Sequence, residues 1–204
     1  MTRSLRQLVL ASGNAKKLSE LQQLLSPLAL DILPQHHFGV QDAIEDGLTF
    51  VENALIKARH AAYLTQKPAL ADDSGIAVDF LQGKPGIHSA RFAGDKALDA
   101  DNNAKLLQQL HAVPVEQRTA QFHCVLVFLR HASDPVPVIC HGHWHGHILE
   151  TPRGEHGFGY DPLFWVPTHH CSAAELDPQE KNRISHRGQA MQLLLQQLGD
   201  ALAC

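Results

Sequence analysis

Two adjacent carboxylates follow a short apolar run in the first half of the chain. Residues Ala69 to Gly75 read Ala-Leu-Ala-Asp-Asp-Ser-Gly, so the run ends in Asp72, Asp73 and Ser74. Neighbouring aspartates at the end of a buried strand repel each other and lose solvation unless a cation or a proton offsets the charge. Carboxylate oxygens suit Mg²⁺, with one aspartate as ligand and the other orienting or deprotonating water, while Ser74 bonds a phosphate oxygen. The alternative is a turn in which these side chains cap backbone amides.

A second candidate site lies where the first strand turns into the first helix, at Ser12-Gly13-Asn14-Ala15-Lys16-Lys17. Free amides at a helix N-terminus attract phosphate, and small residues let it approach closely. Two lysines in a first turn oppose the helix dipole, and a bound phosphate would resolve that conflict. The glycine spacing fits neither a P-loop nor a dinucleotide fingerprint. A capped helix with solvated lysines is the structural alternative.

Two glutamates near residue 50 have different predicted roles. Thr49-Phe50-Val51-Glu52 fits a capping box, so Glu52 has a structural role. Glu45 lies in a loop without such a role, and is the better candidate for a third carboxylate at the metal, with a solvated loop residue as the alternative. Asn53 and Lys57 share the polar face of the helix that follows, where they either reach toward the site or remain exposed.

Aromatic and basic residues toward the C-terminus are suited to a nucleobase. The run Gly154 to Pro162 is too rich in glycine for a regular element; its Phe158 can stack on a base, and its Asp161 can accept hydrogen bonds from a ring. An ordinary turn with buried aromatics is the alternative. Lys181 and Ser185-His186-Arg187 precede or begin the last helix, where Arg187 can donate to a carbonyl oxygen or a phosphate. Capping by Ser185 with solvated neighbours is the competing explanation.

Four histidines alternate with other residues at 141, 143, 145 and 147. On a strand all four imidazoles would face one side, because strand side chains alternate. Histidines with this spacing can bind a transition metal. A solvated strand face is the more ordinary interpretation.

The elements that must position these residues alternate between strand and helix, which predicts an α/β fold. A long hairpin next to parallel strands would make the sheet mixed. The predicted core stripe of the second helix is Val51, Leu55, Ala58 and Ala62, and Ser185 is the predicted N-cap of the last helix. Strands are predicted at residues 7–11, 28–33, 69–72, 76–80, 119–130 and 136–149. Helices are predicted at residues 15–25, 50–64, 98–110 and 186–202.

Length and composition indicate one globular domain over residues 1–204. The chain has 44% hydrophobic and 19% charged residues and a net charge of −4, which disfavours binding to a nucleic acid polymer. Its four cysteines are scattered without a Cys-x-x-Cys pair, which suits a reducing compartment. No apolar run reaches membrane length. We therefore expect a cytoplasmic protein with no membrane contact.

Six segments, in order and over nearly the whole chain, resemble the inosine/xanthosine triphosphate pyrophosphatase family, which removes non-standard purine nucleotides such as ITP, dITP and XTP. The segments are Ser12-Gly13-Asn14-Ala15-Lys16-Lys17, Thr49-Phe50-Val51-Glu52-Asn53-Ala54 with Lys57, Ala71-Asp72-Asp73-Ser74-Gly75, Pro85-Gly86-Ile87-His88-Ser89-Ala90-Arg91-Phe92-Ala93-Gly94, Gly157-Phe158-Gly159-Tyr160-Asp161-Pro162, and Glu180-Lys181-Asn182 with Ser185-His186-Arg187. The resemblance implies an elongated α/β fold around a mixed central sheet flanked by helices, with two lobes and an active-site cleft between them. It also implies a homodimer.

The same resemblance implies Mg²⁺-dependent hydrolysis of a nucleoside triphosphate to the monophosphate and pyrophosphate. Asp73 would be the proton acceptor and a metal ligand, with Glu45 and Asp72 assisting at the metal. Lys17 matches the family's phosphate-binding lysine by position. Residues expected to contact substrate are Ser12, Gly13, Asn14, Ala15, Lys16, Lys17, Lys57, Ser74, Phe158, Gly159, Tyr160, Asp161, Lys181, His186 and Arg187.

Three alternative functions remain open at this stage. A related pyrophosphatase acting on modified pyrimidine or standard nucleotides would use the same metal and phosphate residues. A nucleotide-binding module without turnover is a second alternative, although three carboxylates beside a phosphate exceed what simple binding needs. A metal-binding protein built on the histidine strand is the third.

Overall fold

A computed structural model of the protein describes residues 7–26 and 30–202, apart from the side chains of residues 15, 16, 19, 24 and 199–202. The strands are β1 (Gln7–Ala11), β2 (Asp31–Pro34), β3 (Ala69–Val78), β4 (Thr119–Leu129), β5 (Val138–Ile148), β6 (Phe164–Val166) and β7 (Cys171–Ser172). The α-helices are α1 (Ala15–Leu25), α2 (Phe50–Thr65), α3 (Asp99–Gln109), α4 (Pro178–Ile184) and α5 (His186–Leu202). Short 3₁₀ helices lie at Gln35–Phe38, Asp79–Leu81, Gly86–Arg91, Val115–Gln117 and Asp161–Leu163.

The strands form one seven-stranded sheet in the order β2-β1-β3-β4-β5-β6-β7. β1 pairs in parallel with β2 and β3, whereas β6 pairs antiparallel with β5 and β7. The sheet is therefore mixed, and the predicted α/β class is confirmed.

Sequence patterns located most elements within one or two residues, and the differences have local causes. The predicted strands 69–72 and 76–80 are one continuous strand, β3, followed by the 3₁₀ turn Asp79–Leu81. Of the predicted strand 28–33, residues 28 and 29 lie outside the described residues, and β2 begins at Asp31. Helix α4 and strands β6 and β7 were not predicted, since segments of two to seven residues carry little periodicity.

The described chain divides into two compact units, and β3, β4 and β5 each contribute residues to both. The first unit contains the described residues up to Asp73, Cys124–Gly142 and those from Arg187 onward. One apolar cluster joins α1 and α5 to strand residues such as Leu10 and Leu126, and another packs the alanines of α2 on Val9 and Val125.

The predicted core stripe of α2 packs in the core but lacks two of its buried residues. Ala58 and Ala62 are buried, but the other fully covered apolar positions are Ala54 and Ala61, and the larger Val51 and Leu55 are only half-buried. Alanine has so little side chain that the helix backbone itself approaches the sheet, and hydrophobicity does not reveal which face does so.

The second unit comprises Ser74–His123 and His143–His186. Its apolar core gathers β3, α3, β4, β5 and β6 residues around the aromatic side chains Phe122, Trp144, Tyr160 and Phe164. The expectation of one domain over residues 1–204 stays a prediction. Among the helices of the described chain, none combines the length and the apolar character needed to cross a membrane.

Candidate active site

Strand β3 carries the two adjacent aspartates in its middle. Asp72 and Asp73 are followed by five more strand residues, up to Val78, so the prediction that the strand ends at Asp72 is wrong, as is the alternative of a turn. The two residues are 1% and 5% exposed. Because successive side chains of a strand point to opposite faces, the two carboxylates meet different partners.

Asp72 is held as an anion by the cations around it. Its Oδ2 atom lies 2.9 Å from Nζ of Lys17, which is itself only 17% exposed. Burial alone would raise the pKa of the Asp72 carboxyl, but the charges of Lys17, Lys57 and Arg187 hold that pKa well below its ordinary value. Lys17 is therefore not the solvated lysine of the structural alternative.

The pKa of Asp73 is shifted in the opposite direction from that of Asp72. Burial raises the pKa of its carboxyl, and the negative charge of Glu45 adds to the shift, while Lys57 and Lys17 partly oppose it. Nζ of Lys57 lies 3.2 Å from Asp73 Oδ1, and Asn53 Nδ2 donates to Oδ2 at 3.3 Å. A carboxylate with a raised pKa is a stronger proton acceptor than an ordinary aspartate.

Lys57 also contacts Glu45, with Nζ 3.3 Å from Oε1. Burial would lower the pKa of the Lys57 ammonium, but Asp72, Asp73 and Glu45 together raise it, so the side chain stays charged. The two carboxylates of Glu45 and Asp73 thus converge on one cation.

Asn53 connects the Glu45 loop to Asp73. Its Oδ1 accepts a hydrogen bond from the backbone N–H of Gly47 at 2.9 Å, and the residue is fully buried. A Cβ atom on Gly47 would lie 2.6 Å from Cβ of Glu52, so only glycine fits there. Glu52 itself accepts from Leu48 N, and Thr49 Oγ1 accepts from Glu52 N, which confirms the capping box and its structural role. Of the two roles left open for Asn53, the hydrogen bond to Asp73 matches the one in which the side chain reaches toward the site. Its contact with Gly47 has no sequence signal.

The expected group of three carboxylates around a metal is not formed. Over the described residues, no group of three or more His, Cys, Asp or Glu side chains is arranged to hold a metal ion. Asp72 faces Lys17, which leaves Glu45 and Asp73 as the converging pair. Such a donor set still fits Mg²⁺, which commonly takes one or two carboxylates and completes its octahedron with water and substrate phosphates.

The loop before α1 is organised by its own side chains. Asn14 Oδ1 accepts from the backbone N–H of Lys17 at 3.2 Å, which caps the helix, and Ser12 Oγ accepts from Asn14 N at 3.3 Å. Ser12 is buried whereas Gly13 and Asn14 are exposed. A Cβ on Gly13 would lie 2.5 Å from Asp42 Oδ2, so glycine allows the close approach. The side chains of Ala15 and Lys16 lie outside the described part.

Arg187, at the start of α5, is buried in the first unit and forms an ion pair with Glu20 of α1. Burial would lower the pKa of its guanidinium, but Cys124, Asp72 and Glu20 raise it. Both roles left open for Arg187, donation to a carbonyl oxygen or to a phosphate, stay predictions. Glu20 was not predicted as a site residue; its only sequence signal is its position one helical turn after Lys17.

The second unit brings together the glycine-rich loop and α4. Lys181 Nζ lies 2.7 Å from Asp161 Oδ2, and both residues are buried. The same ammonium lies 5.3 Å from the centroid of the half-buried Phe158 ring, and Phe158 N donates to Asp161 Oδ2 at 2.8 Å. A Cβ on Gly157 would lie 2.2 Å from Asp161 Oδ2, so the loop closes only with glycine there.

His186 is a second aromatic element of this unit. Its ring stacks on Phe122 with centroids 4.7 Å apart and planes 9° apart, and it is 5% exposed. Tyr160 is buried, as the alternative of an ordinary turn with buried aromatics predicts. Its hydroxyl donates to the carbonyl of Ser89 at 2.9 Å. Ser74 is half-buried in β3, and Ser185 is buried between α4 and α5.

The histidines of β5 lie on one face, as predicted. His141, His143 and His145 are exposed, and His147 is half-buried against Trp165, with ring centroids 6.1 Å apart. Across the described residues these histidines do not combine into a site of three or more metal ligands. The solvated-face interpretation therefore describes them best.

Comparisons with known proteins agree over almost the full length. The Ham1 family model matches residues 8–197. A protein of Vibrio cholerae named dITP/XTP pyrophosphatase is 52% identical over 200 residues, covering 98% of this chain and 100% of the relative. A protein of the same name from Escherichia coli K12 is 57% identical over 194 residues, covering 95% of this chain and 98% of the relative.

The solved structures support the same relationship. A HAM1 protein from Coxiella burnetii superposes with a TM-score of 0.90 at 53% identity, covering 96% of this chain and 99% of that chain. The resemblance first seen in six short segments is thus confirmed by matches in both sequence and fold. The chain belongs to the Ham1 family.

Proposed function

We propose that this protein hydrolyses non-standard purine nucleoside triphosphates, ITP, dITP and XTP, to the monophosphate and pyrophosphate. Such an activity cleanses the nucleotide pool and keeps these bases out of DNA and RNA. The relatives named dITP/XTP pyrophosphatase support it. The observation that carries it is the buried pair on β3, in which Asp72 is held as an anion while the pKa of Asp73 is raised.

The triphosphate is bound by the cations and backbone amides of the first unit. The Ser12–Lys17 loop supplies amides and Lys17, and Lys57 and Arg187 add positive charge from α2 and α5. Ser74 donates to a phosphate oxygen. In the absence of substrate the carboxylates of Asp72, Asp73 and Glu20 balance these cations, so the side chains that bind phosphate are already held in place when a substrate arrives.

Asp73 orients a water molecule and accepts its proton. The water oxygen attacks the α-phosphorus in line, the bond from that phosphorus to the bridging oxygen breaks, and pyrophosphate leaves with the electron pair. Lys17 and Lys57 stabilise the charge that develops on the leaving group. Asp72 remains an anion throughout and keeps Lys17 in place.

Glu45 and Asp73 would hold Mg²⁺, because their carboxylates converge on a shared cation and offer the hard oxygen donors that Mg²⁺ prefers. When bound, the ion polarises phosphate oxygens and neutralises developing charge. Asn53 sets the separation of the two carboxylates by holding the Gly47 backbone and Asp73 at once.

The base is recognised by the second unit. Phe158 stacks on the purine, and Lys181 and His186 supply donors for the 6-oxo group of hypoxanthine or xanthine, whereas the amino group of adenine would meet them donor to donor. Asp161 holds Lys181 and accepts hydrogen bonds from the ring, and the small Gly159 lets the base approach. Tyr160 supports the loop, because its hydroxyl donates to the backbone carbonyl of Ser89.

We also propose a cytoplasmic homodimer. Ile44 and Leu48 are 84% and 85% exposed in one loop, and large apolar side chains left in water mark contact surfaces. Within the described part of the chain Cys124, Cys140 and Cys171 form no disulfide, which supports a reducing compartment, and Cys204 lies outside the described residues. Sedimentation of the purified protein tests the dimer.

The decisive test is a steady-state panel of ITP, dITP, XTP, GTP, ATP and dUTP with Mg²⁺, with products separated by chromatography. We expect monophosphate and pyrophosphate from the three non-standard purines, and Asp73→Asn to remove nearly all turnover with an unchanged circular dichroism spectrum. A preference for dUTP or for the standard nucleotides would favour the related pyrophosphatase. Binding of ITP without pyrophosphate release would leave a nucleotide-binding module.

A further inference from the structure

Side chains of helix α3 bind both the backbone N–H and the backbone carbonyl of Gly159. The backbone N–H of Gly159 donates to Asp99 Oδ2 at 2.9 Å, and its carbonyl accepts from Asn103 Nδ2 at 2.9 Å. Asp99 and Asn103 are four residues apart and therefore lie on one face of the helix. The two peptide units that flank the Cα atom of Gly159 in the aromatic loop, defined here as residues 157–161, are thus bound by an acceptor and a donor of one helix.

The aromatic loop needs such an external support. Gly157 and Gly159 have φ values of +77° and +61°, a conformation that glycine reaches easily and also leaves easily. Tyr160 is anchored through Ser89, and Phe158 N is bonded to Asp161. Gly159 lies between Phe158 and Tyr160 in the chain, so the backbone conformation at Gly159 determines where the Phe158 ring lies relative to Tyr160.

The same helix also holds the Pro85–Gly94 segment, to which sequence reasoning gave no chemical role. Asn102 Oδ1 accepts from Ala93 N at 2.8 Å, and its Nδ2 donates to Ala90 O at 3.2 Å. Ser89 of this segment accepts from the backbone N–H of Ile76 in β3 through its hydroxyl and from Tyr160 through its carbonyl. Asn102 and Asn103 are neighbours in α3, and they bind the Pro85–Gly94 segment and the aromatic loop to the same helix.

Stability alone does not explain Asn103. Its Oδ1 atom is buried and has no hydrogen-bond partner within the described part of the chain. A buried polar atom left unsatisfied lowers stability, and an apolar side chain of similar size would avoid that loss. The donor at Nδ2 is what Asn103 contributes.

We propose that Asp99 and Asn103 are positioning residues that hold the aromatic loop in its nucleotide-binding conformation. This proposal rests on the proposed function, in which Phe158 stacks on the base. Because stacking holds substrate and transition state equally, weakening it raises KM and leaves kcat unchanged.

The test compares Asn103→Leu, Asp99→Asn and Gln109→Ala. Asn103→Leu removes the donor but fills the space, and we expect KM for ITP and for XTP to rise about fivefold, the equivalent of one hydrogen bond, with kcat within about twofold. Asp99→Asn keeps an oxygen acceptor and should retain near-normal KM. Gln109 is exposed on the same helix and serves as the matched control.

Hydrogen exchange of residues 157–161, measured without nucleotide, provides a readout independent of activity. We expect faster exchange in Asn103→Leu than in wild type or Gln109→Ala, at a melting temperature equal to or above that of wild type. Unchanged exchange and KM in Asn103→Leu would overturn the proposal, as would a KM rise accompanied only by global destabilisation. If the wild type hydrolyses no purine triphosphate, the proposed function fails, while the exchange comparison still decides the role of α3.

Discussion

Replacing Lys57 with methionine removes the ammonium that Asp73 and Glu45 share. In the wild type this charge partly offsets the burial that raises the pKa of Asp73, and it also shields Asp73 from Glu45. Without it the Asp73 pKa must rise further. Since the proposed base must be deprotonated to accept a proton, the acid limb of kcat/KM moves to higher pH in Lys57→Met.

The separation of 3.2 Å between Nζ and Oδ1 sets the size of the shift. Coulomb's law gives about 1.3 kcal/mol at the dielectric constant of water, ~80, and about 5 kcal/mol at an effective value of ~20. One pKa unit corresponds to about 1.4 kcal/mol, so the Asp73 pKa of the metal-free protein should rise by at least about one unit and by no more than about four.

The assay is a carbon NMR titration of the aspartate carboxyls in the metal-free protein, which measures the shift directly. It is paired with the pH profile of kcat/KM for ITP with Mg²⁺, where the acid limb should move in the same direction. Lys57→Arg retains the charge and is the matched control, whose acid limb should stay near that of wild type. The position of the limb, rather than the height of the profile, is the readout, since Lys57 also contacts phosphate in our proposal. An acid limb that stays in place in Lys57→Met, with an unmoved Asp73 titration, would refute the electrostatic reasoning.

Three further predictions concern buried charges. Asp72→Asn leaves Lys17 facing a neutral amide and should lower the free energy of unfolding by about 3 kcal/mol at pH 7. Because the folded pKa of Asp72 lies below its ordinary 3.8, the wild type loses this stability as the pH falls below about that value. Denaturant titrations of the variant should lack that loss. Lys181→Met should destabilise by about 3 kcal/mol because the buried Asp161 carboxylate loses the opposite charge of Lys181, and adding Asp161→Asn should restore the denaturation midpoint but not the KM for ITP. Arg187→Ala should raise KM for ITP and for ATP by the same factor, because both carry the same triphosphate, and a loss of the preference for ITP over ATP would place Arg187 at the 6-oxo group instead.

Local sequence signals were sufficient for most of the regular elements. Helix α1 and strand β1 have the predicted bounds, because an apolar run and an amphipathic repeat separated by Ser-Gly-Asn mark each boundary. Thr49 and Glu52 identified the start of α2, because a threonine followed three residues later by a glutamate forms a capping box. Helix α4 had an available signal, Asp177 followed by Pro178, which is an N-cap before a proline at N1.

The chemical types of the site residues were also evident from sequence. Asp72, Asp73, Lys17 and Lys181 stand where burial or helix polarity makes a charge unfavourable unless it has a partner, and this conflict is local. The partners were not local. Glu20 meets Arg187 across 167 positions, and Asn103 meets Gly159 across 56, and such long-range pairs leave no periodic trace in one sequence.

The sequence by itself determined that this chain carries two buried aspartates in need of cations, and through its six segments it determined the family. Only the tertiary structure decided how the pair is divided. Because β3 continues through Asp73 instead of turning, its alternation sends Asp72 toward Lys17 and Asp73 toward Lys57 and Asn53. Strand alternation is fixed by backbone geometry, but which cation lies on each face depends on how distant segments pack. That packing holds Asp72 as an anion and leaves Asp73 with a raised pKa.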